Sequence, residues 1–167
     1  MVTDSMDQRP EGNSLHGETA IHRRVNDARA GRDPTLLGRC ASGWAVFGHQ
    51  QFVPGYLLLL PDPVVPDLNA LTPERRSQFL LDMSRLGDAL MRSSSPIRIN
   101  YAIFGNVEPA LHAHVIPRYR TEPEAMRTAH PWTHDWNAAP AFDPIVSAPL
   151  VKALRAELAQ LGSLRTP

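Results

Sequence analysis

The 167-residue sequence predicts an α+β fold in which about four or five mostly antiparallel strands carry packed helices. Three observations predict it. Three segments place apolar residues at helical spacing. Between them lie short apolar runs bounded by Pro and Gly. The last two of these runs are joined through Gly105-Asn106, a connection short enough for an antiparallel hairpin. The length suits one domain with its own core.

The elements follow in order. Residues 1–17 are polar and are expected to form a flexible N-terminal segment, with a single domain over 18–167. Glu18 to Ala30 carries Ile21, Val25 and Ala28 on one helical face, and Gly31 stops it. Gly43 to Phe47 reads as a short strand. Phe52 to Leu60 reads as the next, bent near Pro54-Gly55 and closed by Pro61-Asp62-Pro63. Thr72-Pro73-Glu74 is a helix start, with a Thr cap, Pro at the first position and an acid in the first turn. That helix presents Phe79, Met83, Leu86 and Leu90 on one face and should end near Arg92-Ser93. Ile97 to Phe104 alternates, with Ile97, Ile99, Tyr101 and Ile103 on one side and Arg98 and Asn100 on the other. A strand containing His112 and His114 follows. Residues 121–149 are loop-rich, and Leu150, Leu154, Leu158 and Leu161 predict a closing helix over 150–162.

Composition narrows the function classes. Lys plus Arg equals Asp plus Glu at 17 each, so the chain has no electrostatic footprint for duplex nucleic acid or an anionic membrane. No apolar run approaches the ~20 residues of a membrane span, and the N-terminus lacks the apolar stretch of a secretory signal. The single cysteine, Cys40, has no partner for an internal disulfide or a Cys-pair zinc site. A soluble cytoplasmic protein is expected.

The richest segment is Leu111-His112-Ala113-His114-Val115-Ile116-Pro117-Arg118. Residues two apart on a strand share a face, so two imidazoles project side by side. Three chemistries suit them. A neutral imidazole can attack phosphorus and hold it as a phosphoramidate while its neighbour binds the oxygens. Two His on one strand face can ligate zinc, with His49, His130 or His134 as a third ligand. Or both can be polar residues on a half-exposed sheet. Spacing alone leaves all three open.

The surroundings extend the pattern. Asn100, Gly105-Asn106 and the His-x-His-φ-φ-Pro-Arg run stand in order. Upstream, Cys40 leads to Phe52-Val53-Pro54-Gly55-Tyr56-Leu57-Leu58-Leu59-Leu60-Pro61, and then to Asp67-Leu68-Asn69-Ala70-Leu71-Thr72-Pro73-Glu74. This arrangement, over about residues 35–120, resembles the histidine triad (HIT) superfamily of nucleotide hydrolases and transferases. Branches that keep only the last two histidines, including those similar to dinucleoside polyphosphate hydrolases, match it best. Three positions depart from the pattern. Ala110 stands where the first histidine would be, Gly48 where an Asp or Asn holds the ribose hydroxyls, and Tyr56 where a His follows Pro-Gly.

The resemblance implies a five-stranded antiparallel sheet, homodimerisation, a nucleotide substrate and a covalent nucleotidyl-histidine intermediate. His112 falls on the nucleophile and His114 on the group that contacts phosphate oxygens, expected as a charged donor. The phosphate is expected over the face carrying Arg98, Asn100, His112 and His114, with Asn100 and Asn106 as neutral donors. His49 neighbours the expected ribose position, and Trp132 and Trp136 either pack onto the body of the protein or cover the base of a bound nucleotide. Arg118 and Arg120, at the strand end, are expected to be solvated. No metal site or protein-bound cofactor is expected, although a divalent ion can accompany a polyphosphate. Two alternatives stay open: a nucleotide-binding protein with little catalysis, and a transferase or phosphorylase using the same intermediate.

Overall fold

Five strands form one antiparallel sheet in the order β1-β2-β3-β5-β4: β1 Leu36–Arg39, β2 Gly43–Phe47, β3 Leu57–Pro61, β4 Arg98–Ile103 and β5 Ala113–Arg118. The computed structural model describes residues 17–164, so the expected N-terminal segment falls outside the described residues except for Gly17. Four helices complete the fold: α1 Ala20–Arg29, α2 Pro73–Ser94, α3 Glu124–Thr128 and α4 Pro144–Gln160.

β3 lies at the centre of the sheet and explains its own sequence. Leu57 and Leu59 point into the cluster built with α2 and α4, which holds Phe79, Leu86, Leu90, Leu154 and Leu158. Leu58 and Leu60 point into a second cluster with Ile21 and Val25 of α1. A strand buried on both faces reads as a continuous apolar run rather than an alternating one. The register carries the same logic across the sheet, with Leu58 opposite His114 and Ala102 opposite His114 on the other side. Both histidines therefore stand on the α1 side of the sheet.

Local chemistry sets the helix ends. Thr19 caps α1, accepting from His22 N–H, while the His22 Nδ1 accepts from Thr19 N–H, so His22 closes a capping box. Thr72 caps α2, as expected, with Pro73 behind it.

Four expectations need correction. β1 was not foreseen: its four residues carry Gly38 and no alternation. β3 begins at Leu57 rather than Phe52, because Gly55 turns the chain at φ +85°. The 121–149 stretch is not continuous loop, since it contains α3 and the start of α4. And α4 begins at Pro144, not Leu150: Asp143 caps it by accepting from Ile145 and Val146 N–H, and the helix carries Pro149 within its first two turns. No described helix is long and apolar enough to cross a membrane.

Candidate active site

β4 hands the chain to β5 through residues 104–112, so His112 sits one residue ahead of β5 and His114 within it. Their rings are 4.8 Å apart at 70°. Both residues are only 8% exposed, and each has one defined hydrogen bond. His112 Nδ1 lies 2.8 Å from the Ala110 carbonyl. A carbonyl only accepts, so Nδ1 carries the proton and Nε2 keeps its lone pair. The residue in the missing histidine's place thus orients His112 through its backbone carbonyl.

His114 Nδ1 lies 2.6 Å from the Tyr56 hydroxyl. Tyr56 is buried and its hydroxyl has no other hydrogen-bond partner among the described residues. Its O–H therefore donates to Nδ1, leaving His114 Nε2–H as a donor. Burial, with a smaller contribution from neighbouring His112, lowers the His114 pKa to about 3. Burial also raises that of Tyr56. The expected charged donor is corrected: His114 is a neutral imidazole in the free protein.

The two histidines open into a cavity of about 320 Å³ lined by Phe104, Asn106, Val107, Glu108, His130 and Trp132. Trp132 meets His114 edge-on at 4.9 Å and Phe104 at 4.7 Å. Its place comes from the short 3-10 turn Pro131–Thr133, which His130 caps by accepting from Trp132 N–H.

Of the residues expected at this site, Asn106 and Trp132 line the histidine cavity. Trp136 does not. It packs against Phe52 at 4.3 Å and Tyr56 at 5.6 Å, bracing the far side of the tyrosine. His49 also lies outside, its carbonyl accepting from Phe142 N–H. Arg98 and Asn100 share the histidines' sheet face but open into a different cleft at the other end of β4. Arg118 is buried rather than solvated, paired with Glu122 at 2.7 Å. Tyr56, Phe104 and Glu108 are the site residues that sequence reasoning passed over. Tyr56 carried a signal, because a hydroxyl stood where an imidazole was expected.

Gly48 is set by its neighbour. A Cβ there would lie 2.2 Å from the Tyr56 ring, so Tyr56 occupies the room that a carboxylate side chain would need. Burial raises the thiol of Cys40 to about 12, which leaves it no nucleophilic role. Among the described residues, no three His, Cys, Asp or Glu side chains are grouped as metal ligands.

Comparison with known proteins agrees with this fold. Residues 44–121 match the model of the HIT domain. Among solved structures, a histidine triad protein from Marinobacter aquaeolei superimposes with a TM-score of 0.68 at 22% identity, over 87% of this chain and 99% of the other. One from Bradyrhizobium japonicum gives 0.66 at 22%, over 84% and 98%. A hypothetical histidine triad nucleotide-binding protein from Sulfolobus tokodaii gives 0.64 at 12%, over 82% and 91%. No functionally curated protein matches the chain. Residues 44–121 are thus similar to a HIT domain, and the chain shares the fold of histidine triad proteins.

Proposed function

We propose that this protein is a nucleotidyl hydrolase working through a covalent histidine intermediate, with dinucleoside polyphosphates or nucleoside phosphoramidates as substrates. One observation carries the reading: the His112 Nδ1–H bond to the Ala110 carbonyl, which turns the Nε2 lone pair into the free nucleophile.

In the first step Nε2 of His112 attacks the α-phosphorus, forming a P–N bond while the bond to the leaving group breaks. The leaving group departs with the electron pair and takes a proton from solvent. The imidazolium formed at His112 keeps Nδ1–H on the carbonyl of Ala110, whose partial negative charge stabilises it. His114 Nε2–H donates to a non-bridging oxygen, and Asn106 at the cavity wall supplies a second neutral donor. Water then attacks the same phosphorus, the P–N bond breaks, and a nucleoside monophosphate leaves. Inorganic phosphate in place of that water gives phosphorolysis through the same intermediate.

Incubation with diadenosine tetraphosphate and with adenosine 5′-phosphoramidate tests the reading. Turnover by the wild type, a loss of at least about 10³-fold in His112→Ala and an acid-labile nucleotidyl adduct in the wild type are expected. A second reading, a nucleotide binder with little turnover, draws on Ala110 and on the closed space at Gly48. Tight AMP binding without turnover of either substrate would favour it.

A further inference from the structure

Arg98 and Asn100 were expected beside the histidines, and the fold gives them a different neighbourhood. With Arg118, Arg127, Thr128 and Ala129 they line a separate cleft of about 460 Å³ at the far end of β4 and β5. We propose that this cleft is a second anion site, in which Arg98, Arg118 and Arg127 together with the amide of Asn100 take up a phosphate or pyrophosphate oxyanion.

The sheet register creates the charge. Arg98 stands directly opposite Arg118 on paired strands, both on the histidine face. Like charges directly opposite one another repel, and Glu122 offsets only Arg118. α3 then adds Arg127 to the same cleft. No carboxylate lines it. Glu122 pairs with Arg118 through Nε and Nη2, but Arg118 Nη1 is left without a hydrogen-bond partner in a side chain only 2% exposed. An unmet charged donor at that depth is costly unless a ligand meets it. Arg98 makes no ion pair or side-chain hydrogen bond among the described residues, and neither does the Asn100 amide. Arg127 reaches only the Arg120 carbonyl, at 3.4 Å. Three guanidiniums and one free amide donor suit a tetrahedral oxyanion.

The cleft is also tied to the histidine cavity. Thr128 and Ala129 line the one, and His130 and Trp132, directly following, line the other. Two sources fit the chemistry: the distal phosphates of a bound polyphosphate, or a free phosphate or pyrophosphate. The first rests on the nucleotidyl reading above, and the second stands without it.

Titration calorimetry at low salt, with inorganic pyrophosphate and the full chain, tests the proposal. Binding by the wild type is expected. The Kd should rise at least about tenfold in Arg98→Ala/Arg127→Ala and should not move in His112→Ala. Arg98→Gln, a single change at an exposed edge-strand residue, provides a variant whose folding is not at stake and should weaken binding in the same direction. No wild-type binding at millimolar pyrophosphate, or a loss that follows His112→Ala and spares the arginine variants, overturns the proposal. The histidine mechanism is judged separately by the turnover of His112→Ala. Kinetics of the double variant then separate the sources. A KM that rises for diadenosine tetraphosphate but not for a single-phosphate substrate assigns the anion to the substrate's own distal phosphates, and parallel KM values assign it to a free oxyanion.

Discussion

Tyr56 decides which nitrogen of His114 carries the proton. Its hydroxyl donates to Nδ1 at 2.6 Å, and the other ring nitrogen is thereby a donor. Tyr56→Phe leaves that buried Nδ1 unmet, which should cost about 1–2 kcal/mol in denaturant unfolding. It also frees the tautomer, so kcat/KM should fall about tenfold while KM changes little. Because the imidazole is already neutral at any pH well above about 3, the wild-type profile of kcat/KM should show no alkaline limb from loss of a His114 proton. A limb near neutrality that disappears in His114→Gln would contradict this. The paired histidines were legible from spacing alone, since two polar residues two apart in an apolar strand share a face. The hydroxyl partner was not, because it comes from the residue just ahead of β3, 58 positions away.

At the scale of elements, the sequence reports most clearly where one rule acts alone. α2 was legible from end to end because Thr72, Pro73 and Glu74 mark its start and its apolar face repeats at helical spacing. The start of α4 was hidden because Pro149 reads as a breaker, whereas it falls early in a helix capped by Asp143. The 3-10 turn Pro131–Thr133 was not legible either; it sets Trp132 in the cavity wall, with the Trp136 ring 6.0 Å from it but outside that wall. Trp132 is 38% exposed and lines the histidine cavity, whereas Trp136 is clamped against Phe52 and Tyr56. Trp132→Ala should therefore raise the KM for a nucleotide substrate several-fold with little change in Tm. Trp136→Ala should instead lose on the order of 3 kcal/mol of stability. Equal Tm losses in the two variants would show that the turn does not separate their roles.

For the whole molecule, two devices make folding sensitive to acid. Asp62 joins α1 to the sheet. It accepts from Arg29, from Trp44 Nε1–H at 2.9 Å and from Arg39 at 3.0 Å, and the Arg29 bond above all holds its carboxyl below the usual range. Its contribution is present above the unfolded carboxyl value and is lost as pH falls through the lower folded one. His114 acts earlier on the same descent. Its folded value of about 3 lies below the ordinary 6.5, so between those limits the unfolded chain binds a proton that the native state refuses. Stability should then fall as pH drops through that window, by up to about 1.4 kcal/mol per pH unit from this one group. Urea unfolding at about pH 7 and about pH 4.5 should show a smaller loss in His114→Gln than in the wild type. Equal losses would place the His114 pKa close to its unfolded value.

The contact between Tyr56 and Gly48 has a further consequence for how this sequence can change. A side chain at 48 meets the tyrosine ring at 2.2 Å, so an acidic residue there is barred while the ring is in place. Removing the ring first withdraws the hydroxyl that His114 depends on. A side chain at 48 is free of that clash only once the ring at 56 is gone. The two positions are thus coupled, and the effect of a substitution at one depends on the residue at the other.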